Sequence, residues 1–194
     1  MKGVVLSGGE SRRMETDKGL LLAENKSWVQ TAYDKLSTIL PQVVISINRS
    51  QYEVYAGQFA NGELVPDNNS IKVNGPLHGL LSVHVQFPGD DLLVLACDIV
   101  GMHPLVLSNL LQTFNEHPGH DCYTFKNDNG YQPLAGIYTS KILSEILQQA
   151  ESGELIKFSM KHVIDTTDTY TMNVPADWNK YFANYNYKED IDFQ

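Results

Sequence analysis

An apolar run cut off by paired glycines opens the chain. Val4, Val5 and Leu6 have the side chains of a buried strand, and Ser7, Gly8 and Gly9 end it in a sharp turn. Glycine lacks a Cβ, so backbone amides there can come close to a ligand. A strand end rich in free N–H groups forms a concave anion site. Arg12, Arg13 and Lys18 follow closely. Strand, glycine turn, arginine and lysine together predict a cradle for a polyphosphate. Two other phosphate loops are excluded by spacing. The string Gly-x-x-x-x-Gly-Lys-Ser/Thr is absent, and the adjacent Gly8 and Gly9 lack the third glycine of Gly-x-Gly-x-x-Gly.

Charge supports a small anion as ligand. The net charge is −9, from 14 basic and 23 acidic residues. A nucleic-acid binder needs a basic face, and Arg12, Arg13 and Lys18 are the one basic cluster, suited to a compact polyanion. No nucleic acid is therefore expected as a partner. No apolar run approaches the roughly 20 residues of a membrane span, and the first strand begins too early to leave room for a signal peptide. No membrane partner and a cytoplasmic protein are the expectation. Cys97 and Cys122 are too few for a disulfide framework and lack zinc-site spacing. Both read as buried thiols.

Periodicity gives the order of elements. Val29, Ala32, Tyr33, Leu36, Ile39 and Leu40 recur at helical spacing, and Pro41 ends that helix. Strands are predicted over 43–47 and 63–67. Pro76 opens a helix carrying Leu77, Leu80, Leu81 and Val85. Residues 92–97 are continuously apolar, as in a central parallel strand covered on both faces. A helix follows Pro104, then strands over 121–125 and 132–138, then a helix marked by Ile142, Leu143, Ile146, Leu147 and Ala150. A short helical piece is expected over 155–160, strands over 163–165 and 170–172, and a last helix from Pro175 bearing Trp178, Tyr181 and Phe182. The chain of 194 residues suits one domain, taken as 1–185, with 186–194 as a mobile acidic tail. Strands alternating with helices predict a three-layer α/β/α fold with a mainly parallel sheet.

Ligands of such sheets bind beyond the carboxyl ends of the strands. That rule gathers residues 7–18, residues 46–49, Asp67 and Asp98 at one mouth. Asp98, ending an apolar strand, suits a hard cation such as Mg²⁺, which takes one or two carboxylates plus substrate phosphates. It equally suits a helix cap or a turn. The six histidines share no metal-ligand spacing.

Residues 6–21, Leu-Ser-Gly-Gly-Glu-Ser-Arg-Arg-Met-Glu-Thr-Asp-Lys-Gly-Leu-Leu, resemble a nucleotidyltransferase signature, Leu-Ala/Ser-Gly-Gly-x-Ser-x-Arg-Met-Gly-x-Asp-Lys-x-Leu-Leu. Glu15 replaces its second-half glycine. Ala96-Cys97-Asp98 resembles that group's Pro/Ala-Cys-Asp-x-Pro, with Val100 in place of the proline. Gly75-Pro76-Leu77-His78-Gly79-Leu80-Leu81-Ser82 is similar to Gly-Pro-Leu-Ala-Gly-Ile/Met-x-Ser of the molybdenum cofactor guanylyltransferase (MobA) family. Thr171 to Asp177 resembles its late Asn-x-Asn-Thr-Pro-Glu-Asp/Glu segment, Asn173 matching the second asparagine and Thr171 standing in place of the first. Asp67 matches a nucleotide-contacting aspartate, and Ser46 stands where the family has asparagine.

The resemblance implies a Rossmann-like nucleotidyltransferase fold and transfer of GMP from GTP to molybdopterin with loss of pyrophosphate. It implies nucleotide binding by Leu6, Ser7, Gly8, Gly9, Lys18, Ser46, Asp67 and Asp98, and catalysis by Arg13, Lys18 and Asp98. Gly75, Pro76, Leu77 and Gly79 would bind the acceptor, and Asp98 with Asn173 would hold Mg²⁺. The preceding molybdenum-insertion protein is the implied protein partner. The alternatives are CTP with molybdopterin, UTP with a sugar phosphate, or a nucleotide-binding regulator without catalysis.

Overall fold

Apolar strands covered on both faces dominate the architecture. A computed structural model of the chain describes residues 1–8, 17–23 and 25–185. The elements are β1 (Lys2–Leu6), β2 (Leu22–Ala23), β3 (Lys26–Ser27), α1 (Trp28–Ser37), β4 (Val43–Ile47), α2 (Tyr52–Ala56), β5 (Leu64–Pro66), α3 (Pro76–Gln86), β6 (Leu92–Ala96), α4 (Pro104–Glu116), β7 (Cys122–Asn127), β8 (Gly130–Tyr138), α5 (Ser140–Ser152), α6 (Met160–Thr166) and β9 (Thr169–Asn173). Seven strands form one sheet in the order β5-β4-β1-β6-β8-β7-β9. β8 runs against both neighbours, and the other strands share one direction. β2 and β3 make a separate antiparallel ribbon.

Every residue of β1, β4 and β6 is buried. Alternate side chains serve opposite layers. Val5, Ile45, Ile47, Leu93 and Leu95 pack with α1 and α4, including Trp28, Leu36 and Leu107. Val4, Val44, Leu92 and Val94 pack with α3, α5 and α6, including Leu80, Leu143 and Val163. The expected three-layer fold is therefore found. Trp28 opens α1 wholly enclosed, its indole N–H without a hydrogen-bond partner, while its amide donates to the Leu21 carbonyl at 2.9 Å.

The chain runs from β1 outward to β4 and β5, then returns through α3 to β6 on the other side of β1. The direction of winding thus reverses at β1, where the carboxyl ends of β1 and β6 lie side by side and Cys97 N donates to Leu6 O at 3.1 Å. Helices cannot cover that point from both sides, which leaves a crevice.

Three local expectations change. Residues 163–165 form no strand but lie in α6, where Ser159 caps the helix by accepting from His162 N. Met160, Val163 and Ile164 then bury one helical stripe, and this outweighs the β-preference of Val and Ile. Residues 155–159 are irregular, so the short helical piece begins only at Met160. The last helix is a 3₁₀ segment, Ala176–Phe182. The tail assigned to 186–194 lies outside the described residues.

Candidate active site at the reversal point

Two strand ends and one turn build the floor. Ser7 N and Gly8 N both donate to Ser46 O at 3.0 Å, tying the end of β1 to β4. Ser7 Oγ is hydrogen-bonded to Tyr55 Oη at 2.7 Å. The chain returns at Asp17, which caps a 3₁₀ turn, Lys18–Leu20, by accepting from Gly19 N at 2.9 Å. Gly9, Arg13 and Glu15 lie outside the described residues, so the roles implied for them stay with the sequence.

Asp98 follows β6 in a turn and caps no helix. α4 is capped instead by His103, whose Nδ1 accepts from Leu105 N at 3.1 Å. Asp98 Oδ1 is buried with no hydrogen-bond partner. Burial raises its pKa above the ordinary carboxylate value, and the Lys18 ammonium and a backbone hydrogen bond oppose that rise only in part. A carboxylate held this way favours any cation that reaches it. The main chain around it is fixed from two directions. Tyr185 N donates to Asp98 O at 3.0 Å, and the Lys35 ammonium of α1 donates to Val100 O. These contacts hold the loop at Val100, the position where the motif that residues 96–98 resemble has proline. The neighbouring Cys97 thiol is pushed up to about 12, mainly by burial, and stays protonated.

A cleft of about 750 Å³ opens beside Gly8, bounded by Asn48, Arg49, Asp67, Gly75, His78 and Gly79. Asp67 enters from the end of β5, its amide donating to Ile47 O at 2.8 Å. Asp67 Oδ1 is buried without a partner, and Oδ2 lies 3.8 Å from His78 Nδ1. Burial raises the Asp67 pKa and a charged His78 opposes the rise. His78 Nε2 donates to Asn68 O at 2.9 Å, and Asn68 N donates to Ser82 Oγ at 2.9 Å, so the loop after β5 is strapped to α3.

The structure thus brings Gly8, Asp67, Gly75 and Gly79 to one cleft. Ser46 is fully buried under Gly79, and a Cβ on Gly79 would stand 2.4 Å from its hydroxyl, so Ser46 lies behind the wall. Leu77 is likewise in the core, while Pro76 is exposed. Asn173 ends β9 at the same rim as Asp98, with β8 and β7 between. Three strand spacings put it about 14 Å away along the sheet. Among the described residues no three His, Cys, Asp or Glu side chains cluster as metal ligands, and no helix is long and apolar enough to cross a membrane. Sequence reasoning missed Lys35, Gln51 and Tyr55, which lie far along the chain from the residues they hold and carry no motif.

A crevice at the reversal of a mainly parallel sheet, with a glycine turn, a lysine and an unpartnered carboxylate at its mouth, defines a nucleotide-handling α/β enzyme. The sequence matches the MobA-like NTP transferase domain over residues 3–166, and the chain belongs to that family of nucleotidyltransferases. It is 26% identical over 187 residues to a probable molybdenum cofactor guanylyltransferase of Flavobacterium johnsoniae, covering 96% of this chain and 92% of that one. It is 28% identical over 166 residues to a protein of the same description from a Geobacillus species, covering 84% of each. Among solved structures, molybdopterin-guanine dinucleotide biosynthesis protein A of Archaeoglobus fulgidus has the same fold, with TM-score 0.80, 22% identity, and 99% and 95% of the two chains covered.

Proposed function

We propose that the protein transfers GMP from GTP to molybdopterin. The observation that carries this reading is Asp98: a buried carboxylate oxygen with no hydrogen-bond partner, beside the end of β1 and within the field of Lys18. The relatives' description as guanylyltransferases supports the choice of substrates.

The terminal phosphate oxygen of molybdopterin attacks the α-phosphorus of GTP. A new P–O bond forms as the bond to the β-phosphate bridging oxygen breaks, and pyrophosphate leaves with that electron pair. The attacking phosphate is already anionic, so no side chain need remove a proton. The protein's part is placement and neutralisation of charge. The Gly8 amide is engaged by Ser46 O, so Gly8 would give a phosphate room to approach while the Lys18 ammonium holds its oxygens, and Asp67 and Gly79 would line the nucleotide's side of the cleft. Gly75 and Pro76 would face the acceptor. Asp98 suits Mg²⁺, which prefers few carboxylates and completes its shell from phosphate and water. When bound, the ion neutralises charge on the phosphate oxygens. Asn173 would join that shell only if the rim between β6 and β9 draws in.

A thermal-shift panel of GTP, CTP, UTP and ATP with Mg²⁺ tests the nucleotide, and pyrophosphate release with GTP plus molybdopterin tests the reaction. Preferential stabilisation by GTP and molybdopterin-dependent release are expected. A larger shift with CTP or UTP, or binding without turnover, would replace this reading with one of the alternatives.

A further inference from the structure

The turn bearing Lys18 is held by side chains from a distant helix. Asp17 accepts three hydrogen bonds: from Gly19 N at 2.9 Å, from Tyr55 Oη at 3.3 Å and from Gln51 Nε2 at 2.6 Å. Gln51 Nε2 also lies 3.2 Å from Ser7 O, and its Oε1 accepts from Asn48 N at 2.8 Å. Ser7 Oγ completes the set through its 2.7 Å bond to Tyr55 Oη. A phenol has one proton. With that proton on the bond to Asp17, the Ser7 hydroxyl donates to Tyr55, and the donors run from Ser7 through Tyr55 to the carboxylate. Burial raises the Tyr55 pKa far above its usual value, so the phenol keeps its proton.

Space is as tightly assigned as polarity. Tyr55 is completely buried, and Ser7 and Gln51 nearly so. A Cβ on Gly19 would sit 2.2 Å from Tyr55 Oη and 2.3 Å from Ser7 Oγ, so the turn closes directly on the two hydroxyls. The strand end that offers Gly8 and the turn that offers Lys18 are thereby clamped to each other from below. A buried and fully paired network of this kind fixes geometry sharply, because any shift leaves a polar group unpaired.

We propose that Tyr55 and Gln51 are positioning residues for polyphosphate binding, acting through Asp17 to hold Lys18 in register with the Ser7–Gly8 turn and Asp98. Neither side chain need touch the ligand. The inference rests on the nucleotidyltransferase reading of the site, though not on which base or acceptor is used.

A double-mutant cycle tests it, with inorganic tripolyphosphate and Mg²⁺ as probe and affinity measured by calorimetry. Tyr55→Phe keeps the ring and removes the hydroxyl. If Tyr55 acts through Lys18, that change should weaken tripolyphosphate binding about 10-fold in the native background and less than about 2-fold in the Lys18→Ala background, as coupled residues do. Native-like near-ultraviolet circular dichroism checks the fold, and Gln51→Met repeats the cycle should the first variant not fold. Unchanged affinity in the folded variant, or equal loss in both backgrounds, overturns the proposal, since a merely structural hydroxyl would act additively. A coupled cycle with tripolyphosphate alongside no preference for GTP would uphold this inference and overturn the GTP reading.

Discussion

In the proposed mechanism Asp98 meets two opposed demands. Its burial disfavours the charged form that a cation needs, and the Lys18 ammonium, followed by a backbone hydrogen bond, offsets that only in part. Asn keeps the shape and removes the charge. Asp98→Asn should therefore lower Mg²⁺-dependent transfer on the order of 10²-fold, the scale for loss of a main electrostatic stabiliser. It should also raise the melting temperature, since the buried charge that opposed folding is gone. Turnover assays and calorimetry check the pair, and retained Mg²⁺-dependent turnover would remove Asp98 from the mechanism. Asp67 allows the linkage to be seen in pH. Its folded pKa is raised mainly by burial. The folded chain therefore binds the proton more tightly than the unfolded one, and Asp67 opposes folding above that raised value. As pH falls through it the penalty fades, and it is gone below the unfolded carboxylate value of about 3.9. Asp67→Asn should melt higher than wild type at pH 7, with the gap closing toward about pH 4. Asp67→Asn melting below wild type at pH 7 would mean that the His78 contact, not burial, dominates.

At the scale of elements, α3 lies on the sheet so closely that one atom decides the fit. Gly79 has no Cβ because Ser46 Oγ would stand 2.4 Å from it, and that hydroxyl is itself buried without a partner. Gly79→Ala alone should cost about 1–3 kcal/mol of stability, as overpacking does. In a Ser46→Ala background the next atoms stand at 3.5 Å, an ordinary contact. The cost should vanish there, leaving the helix preference of Ala over Gly, about 1 kcal/mol. Denaturant unfolding of the three variants would show the coupling, and additive losses would refute it. How far such elements were legible follows the same physics. β1, β4 and β6 could be read because strands buried on both faces are apolar throughout, and Asp98 stood out by ending such a run. α6 was hidden because Val163 and Ile164 favour strands locally, and the Ser159 cap was passed over. α2, of five residues, is too short to show periodicity. Tyr55 and Gln51 act across 48 and 34 positions of sequence, on Ser7 and Asp17, and such contacts leave no local pattern.

Over the whole molecule, the sheet is insulated at its centre and open at one edge. β1, β4 and β6 are buried throughout, while β9 is only partly covered and the β2–β3 ribbon belongs to no larger sheet. Native-state hydrogen exchange should therefore find the slowest amides in β1, β4 and β6, opening near the global unfolding free energy, with β9 and the ribbon opening locally. Uniform protection across the nine strands of the described residues would contradict that ranking. The seven-strand order with its single reversed strand follows from chain-length connections that the sequence pattern does not encode, and the partial burial of β9 only becomes visible once that order is known. One buried ring has a practical use. Of two tryptophans, Trp28 is wholly enclosed behind the turn of Lys18, its amide on the Leu21 carbonyl and its indole N–H unshared. Indole emission shifts to longer wavelength as its surroundings become polar, so the protein carries its own fluorophore behind the lysine turn. With Trp178→Phe leaving one emitter, any loosening of that turn would be read as a change of colour, without a label and in real time.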